Sequence, residues 1–292
     1  MLWIWFTLLA AAMQAGRNAF QKQLSKDVPV LGVTLARFLY AVPLAAGYLI
    51  FLYQTEPSYA VPHFSGLFYL YVFGASVAQI LATSLMVKLF QLRNYAIGVG
   101  LAKSEGVIAA MLGVMFFGTT ISFIGWLGVL LGGIAIFLMT GSANLRYVSW
   151  KTFLIGCGSG LSFALTSLWV REASLQLNSH YLLSAAWVLF SVITFEAIIL
   201  LFYLALRDKS TLMKLLQRPK LAIATSIFSF LGSFGWFNAM SLNDVAFVKT
   251  VGQIEVFFML MISDSVFKER LKRQDLLGLA LIVIAALLVV WG

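Results

Sequence analysis

Two glutamates stand in otherwise apolar sequence, Glu105 in Lys103-Ser104-Glu105 and Glu255 in Gln253-Ile254-Glu255, 150 positions apart. Each falls about eleven residues into a long apolar run, a depth near the middle of a membrane-crossing helix. An ionisable side chain at mid-helix costs on the order of 2.5–3.5 kcal/mol by insertion scales, so it faces a cavity or a partner. A carboxylate pair there can bind a cationic or amino group. It can also carry protons. The structural alternative is a protonated or hydrogen-bonded carboxyl that serves packing alone.

The other polar groups in apolar runs read in two ways each. Lys103 precedes Glu105 by two residues, roughly 200° around a helix, so the two cannot pair along it. It is either a cation for a solute carboxylate or a lysine snorkelling to the membrane surface. Lys249 and Gln253 share a face at i and i+4; Lys249 lies about five residues from its helix end, where snorkelling is the expectation. Arg17 and Arg37 sit within snorkelling reach of helix ends, and a structural or gating role is expected for Arg37, with Arg17 a further candidate. Glu196 lies deep in its run, with Arg17, Arg37 and Lys103 as candidate partners. Asn238 and Gln79 can bond a solute or glue helices together. Trp236 stands beside Phe230, Phe234 and Phe237, an i, i+4, i+7 stripe that is either an aromatic wall for a solute or helix packing.

Catalysis finds no footing here. There is no Ser-His-Asp set, no His-Glu-x-x-His and no phosphate-binding Walker loop. The lone Cys157 excludes an internal disulfide, and with only His63 and His180 a metal centre is not expected. Gly156, Gly158 and Gly160 lie in an apolar run with no preceding strand, so they read as small-residue packing rather than a nucleotide loop. The expectation is a non-enzyme with no cofactor. A membrane-embedded enzyme or receptor subunit is the rival reading from another class.

The elements that must hold these residues follow from composition. Of 292 residues, 61% are hydrophobic and 11% charged, with a mean hydropathy of +0.95. A soluble domain carries about 25% charged residues, so a water-soluble globule and a disordered chain are both excluded. Apolar runs long enough to cross a bilayer number ten, at 2–24, 30–53, 64–90, 95–116, 121–140, 150–172, 181–206, 219–241, 245–266 and 274–291. Fifteen Lys and Arg lie in or beside odd-numbered loops, one (Arg171) in the even loops, and four (Arg17, Arg37, Lys103, Lys249) within the runs. Positive charge stays in the cytoplasm, which predicts both termini outside. The net charge of +9 is thus a topology signal and a lipid-headgroup patch, not a nucleic-acid footprint.

Shifting the chain by 150 residues lays NYAIGVGLAKSEGVIAAML (94–112) on DVAFVKTVGQIEVFFMLMI (244–262), matching Glu105 with Glu255, Lys103 with Gln253 and Asn94 with Asp244. The two units are 1–141 and 149–292. Five helices per unit is odd, so the units cross in opposite senses, as in many alternating-access carriers. The charges agree: loops two and four have no Lys or Arg, while their counterparts, loops seven and nine, carry five and four. The predicted fold is all-α and polytopic, ten transmembrane helices in two inverted five-helix repeats.

The segment GQIEVFFMLMISDSVFKERLKRQDLLGLALIVIAALLVV (252–290) and ARFLYAVPLAAGYL (36–49) resemble the drug/metabolite transporter superfamily, in particular its EamA-like branch. The likeness lies in a polar–Glu element, an apolar helix, a Glu-Arg pair, a glycine-bearing last helix and an Arg-led second helix. Gly106 and Val256 stand where that family often has proline, and the first half has GTT (118–120) in place of the Glu-Arg pair. The resemblance implies an inner-membrane carrier of a small organic metabolite such as an amino acid, working by alternating access and often exporting. Multidrug or lipophilic-cation efflux is the alternative within transporters, and the sequence leaves proton-coupled and facilitated carriage both open.

Overall fold

The computed structural model describes residues 1–92, 102–141, 150–267 and 273–291, and all regular structure in them is helical. In hydrocarbon a backbone finds no water, so it must satisfy itself within a helix. The helices are α1 (Leu2–Leu24), α2 (Val30–Phe38), α3 (Ala41–Thr55), α4 (Gly66–Leu92), α5 (Glu105–Phe116), α6 (Phe123–Gly141) and α7 (Trp150–Gln176), then α8 (Tyr181–Arg207), α9 (Lys209–Leu216), α10 (Pro219–Leu242), α11 (Val245–Val251), α12 (Glu255–Phe267) and α13 (Arg273–Trp291). A 3₁₀ turn, Gly252–Ile254, joins α11 to α12.

Six spans among the described residues are long and apolar enough to cross a membrane by length and composition: Val30–Thr55, Gly66–Leu92, Trp150–Gln176, Tyr181–Arg207, Pro219–Leu242 and Val245–Ile262. Three apolar helices are shorter, at Glu105–Phe116, Phe123–Ala135 and Ala280–Val289. α1 has the length, at 23 residues, but carries Arg17, Asn18 and Gln21 buried along one face. Helix breaks fall inside three of the ten apolar runs. The run 30–53 holds α2 and α3 within one span, the run 245–266 is crossed by the 3₁₀ turn, and in 95–116 a turn at Lys103–Ser104 precedes α5. Residues 93–101 lie outside the described part, as do Asn94, Arg146 and the Glu269–Arg270 pair.

The break between α2 and α3 has a visible cause. Pro43 has no N–H to give the Leu39 carbonyl, so the ladder loosens there. Ser226 of α10 opens a second step of the ladder, between the Tyr40 N–H and the Ala36 carbonyl: its Oγ accepts from the Tyr40 N–H at 3.1 Å and donates to the Ala36 carbonyl at 2.6 Å. A hydroxyl inserted in an i→i−4 ladder is a known source of kinks.

The most extensive helix contacts run between the halves: α1 with α10, α4 with α7, and α6 with α13. Close approach at two of them requires glycine. A Cβ on Gly235 would lie 2.6 Å from the Phe6 carbonyl oxygen, and one on Gly128 would lie 2.8 Å from the Ala285 carbonyl oxygen. Small residues that let backbones meet are how apolar helices gain dispersion contact in lipid. Polar staples tie the ends. Arg171 bonds the Met240 and Asn243 carbonyls at 2.8 and 2.6 Å and pairs with Asp244 at 2.6 Å, closing the C-terminus of α10. Asp208 caps α9, and the hydrogen bonds it receives from Thr211 and Ser210 hold its carboxyl below the usual range.

Gly235→Ala is expected to destabilise by about 1–3 kcal/mol, the range for overpacking a tight contact, whereas Gly47→Ala, with nothing within 4 Å of its Cβ, is expected to be neutral. Thermal unfolding in detergent separates the two. Equal effects would remove the close α1–α10 approach as the reason for Gly235.

Candidate functional site

Both glutamates open a helix. Glu105 is the first residue of α5, and Glu255 is the first residue of α12, directly after the 3₁₀ turn. The sequence reading placed each about eleven residues into one continuous helix; the structure places each at an interruption instead. Their partners come from across the repeat boundary. Lys103 Nζ bonds Glu255 Oε2, and Lys249 Nζ lies 2.5 Å from Glu105 Oε1. Each acid of one half is thus neutralised by a lysine of the other.

Lys249 is therefore not snorkelling. Its side chain is 10% exposed, turned inward onto Glu105, with Nζ also 4.1 Å above the Trp236 ring. Two attractions hold the ammonium, one to a carboxylate and one to the negative face of an indole. Lys103 pairs with Glu255 and not with Glu105, in keeping with its opposite face near α5.

Donors from the first helix of each half complete the arrangement. On α1, Gln14 Nε2 gives to Glu255 Oε2 at 2.6 Å and Asn18 Nδ2 gives to Glu255 Oε1 at 2.9 Å. On α7, Ser167 Oγ gives to Glu105 Oε1 at 3.3 Å. Trp236 Nε1 donates to Gln14 Oε1 at 2.8 Å, which fixes the amide so that its NH₂ faces the carboxylate. Trp236 thereby touches both ion pairs, one through Gln14 and one through its ring. Two lysines and two glutamates sum to zero charge, which is what a low-dielectric interior tolerates.

The remaining expected residues lie at varying distance from this centre. Arg17 is buried and bonds Asn18 Oδ1 through Nε and Nη2 at 3.2 and 2.8 Å, so it reaches Glu255 through one amide. Gln253 is buried with neither amide atom bonded, packed where Gly106 and Gly132 have no side chain. Asn238 turns its amide back to the Phe234 carbonyl at 2.8 Å. Arg37 is buried and gives Nη1 to Thr83 at 2.6 Å, in place of a snorkelling position. Glu196 is buried, and neither of its carboxylate oxygens is bonded to a candidate partner, Arg17, Arg37 or Lys103. Phe234 packs edge-on to Phe6 and Tyr48 of neighbouring helices.

Sequence reasoning missed Gln14, Asn18 and Ser167. A signal existed for the first two: Gln14, Arg17, Asn18 and Gln21 recur at i, i+3, i+4 and i+7 on one face of α1. Away from the ion pairs, a depression of about 520 Å³ opens at one end of the bundle, lined by Met1, Trp3, Thr120, Asn243, Phe247 and Val289.

The comparisons with known proteins agree with this picture. The profile of the EamA-like transporter family matches the chain twice, over residues 1–141 and 150–291. A crystal structure of another protein superposes with a TM-score of 0.70 at 14% identity, covering 98% of this chain and 98% of its own, a likeness of fold alone. No curated protein matches the sequence.

Removing one partner of a buried pair costs about 3–5 kcal/mol, because the other charge is left alone, while removing both is often near neutral. Lys103→Met and Glu255→Gln are each expected to lower the unfolding temperature strongly, and the double variant to recover most of the loss. Additive single effects would mean that the two side chains do not act as a pair.

Proposed function

The chain belongs to the EamA-like transporter family, and on that premise we propose that it is a secondary carrier of a small organic metabolite, an amino acid or related solute. It is multi-pass in the inner membrane, its halves are inverted five-helix repeats with both termini outside, and its normal direction is export. The solute binds near the midplane between the halves, and rocking of the halves exposes it to each side in turn.

The observation that carries this reading is the exchange of ion pairs, Lys103 with Glu255 and Lys249 with Glu105, at helix breaks of both halves. Inverted-repeat carriers bind at discontinuous helices near the midplane. Any motion of one half against the other pulls on both pairs. Breaking one leaves bare charges in hydrocarbon, so the motion needs a replacement partner. A proton can neutralise a glutamate as its lysine departs. A solute ammonium can take the place of the lysine, and a solute carboxylate that of the glutamate. The carrier then moves only when something charged has arrived, which is what couples transport to binding. Trp236, between the two pairs, relays displacement of one to the other through Gln14. Arg37 and Arg17 stay structural or gating groups, and Gln253 and Asn238 are polar positions for the solute.

Proteoliposomes loaded with a pH dye and offered pools of amino acids, sugars, nucleosides and hydrophobic cations test the reading. The amino-acid pool is expected to evoke a proton flux. Glu105→Gln and Glu255→Gln are each expected to cut it at least about tenfold while the protein still inserts, comparable to losing a group needed in every cycle. Full flux in both variants would take the glutamates out of the mechanism.

A further inference from the structure

A second polar site lies outside the crossed pairs. Glu196 of α8 is fully buried, and neither carboxylate oxygen has a hydrogen-bond partner among the described residues. Arg37 of α2, also buried, uses Nη1 on Thr83 of α4, while its Nε has no partner. The rings of Phe38 and Phe163 lie 5.2 and 6.0 Å from its guanidinium carbon. Phe64 rests on Trp187 at the start of α4 and α8, and Ser76 bonds the Val192 carbonyl further along both. The two helices therefore run in the same direction, and one turn on they bring Gln79 and Glu196 to one level. Gln79 Nε2 is likewise buried without a partner.

α2, which carries Arg37, packs against both α4 and α8, yet no ion-pair contact joins Arg37 to Glu196. Glu105 is already held by Lys249. A buried acid and a buried base that are not in contact, each with open bonding capacity, are complementary to a molecule carrying both charges. An unpartnered buried carboxylate is otherwise a pure cost to the fold.

We propose that Arg37 and Glu196 form a solute site of their own, taking a zwitterionic amino compound with its carboxylate on the guanidinium and its ammonium on the Glu196 carboxylate. The amide of Gln79 supplies a further donor to the solute carboxylate. Phe38 and Phe163 offer an apolar side chain a place beside the guanidinium. The proposal rests on the carrier reading, since a site this enclosed fills only through a change of conformation.

Thermal unfolding in lipid nanodiscs with L-phenylalanine, phenethylamine and 3-phenylpropionate tests it, because a ligand that binds only the native state raises the midpoint. Phenylalanine is expected to raise it saturably, with half-effect at least about tenfold below either one-charge analogue. Glu196→Gln, which mimics a merely protonated carboxyl, is expected to erase that preference. Glu196→Met, freed of a buried unpartnered charge, is expected to unfold at or above the wild-type temperature yet not respond. A wild-type protein indifferent to phenylalanine, or an unchanged response in either variant, overturns the site. Vesicle uptake separates this from the carrier reading. Flux that survives Glu196→Gln keeps the carrier and removes the site, whereas charge-selective binding without flux keeps the site and removes the carrier.

Discussion

Charge neutrality in a medium that does not solvate charge is the constraint on which the rest of this structure depends. Glu255 is wholly buried, and Glu105 nearly so. Neither could stay ionised there without a cation in contact. The chain supplies that cation from the opposite half each time, and the consequence is mechanical. Folding either half alone would leave two bare charges, so the halves are electrostatically incomplete until they meet. Glycine-mediated contacts between α1 and α10 and between α6 and α13 then bring the backbones close enough for lysine side chains to reach across.

The same constraint explains why the helices break where they do. A lysine and a glutamate two positions apart on one helix point to different sides. With a turn at Lys103–Ser104 and the 3₁₀ turn at 252–254, the base and the acid at each break are free to point in different directions. One direction presents the acid to the first helix of the other half, the other presents the base to the other half's acid. Gln14 and Asn18 on α1, and Ser167 on α7, meet the acids from corresponding helices. The polar face of α1 is thus the lining of the ion-pair centre, which is why a helix with that much polarity sits inside the bundle.

Much of this was legible from the sequence, for physical reasons that differ by level. The helical class and the repeat could be read because lipid enforces apolar runs and because the 150-residue offset superposes two membrane glutamates. Glu105, Glu255, Lys103 and Lys249 stood out because charge in apolar sequence is rare. Their pairing was not legible: periodicity says which residues share a helix face, and nothing about which face meets which helix. Lys249 was expected to snorkel because it lies five residues from a helix start, and α11 keeps it there; what turns it inward is Glu105 of the other half, which a hydropathy pattern does not show. Pro43 marks the kink near Tyr40 in the sequence, but the hydroxyl inserted there comes from Ser226, 186 positions from Tyr40, and only packing reveals it.

The repeat symmetry itself is instructive in where it fails. The acids obey it, since Glu105 and Glu255 correspond under the 150-residue shift, but the bases do not. Lys103 corresponds to Gln253, and Lys249 corresponds to Val99. Symmetry of the backbone therefore did not dictate the charges; neutrality did. Glu105 already has its cation in Lys249 and Glu255 has Lys103, so a lysine at 253 would find neither glutamate free to pair with it. The neutral amide found there, packed against Gly106 and Gly132, keeps the shape of the symmetric position without its charge. A repeat shares a fold between its halves, while the low dielectric demands that the charges be counted once for both.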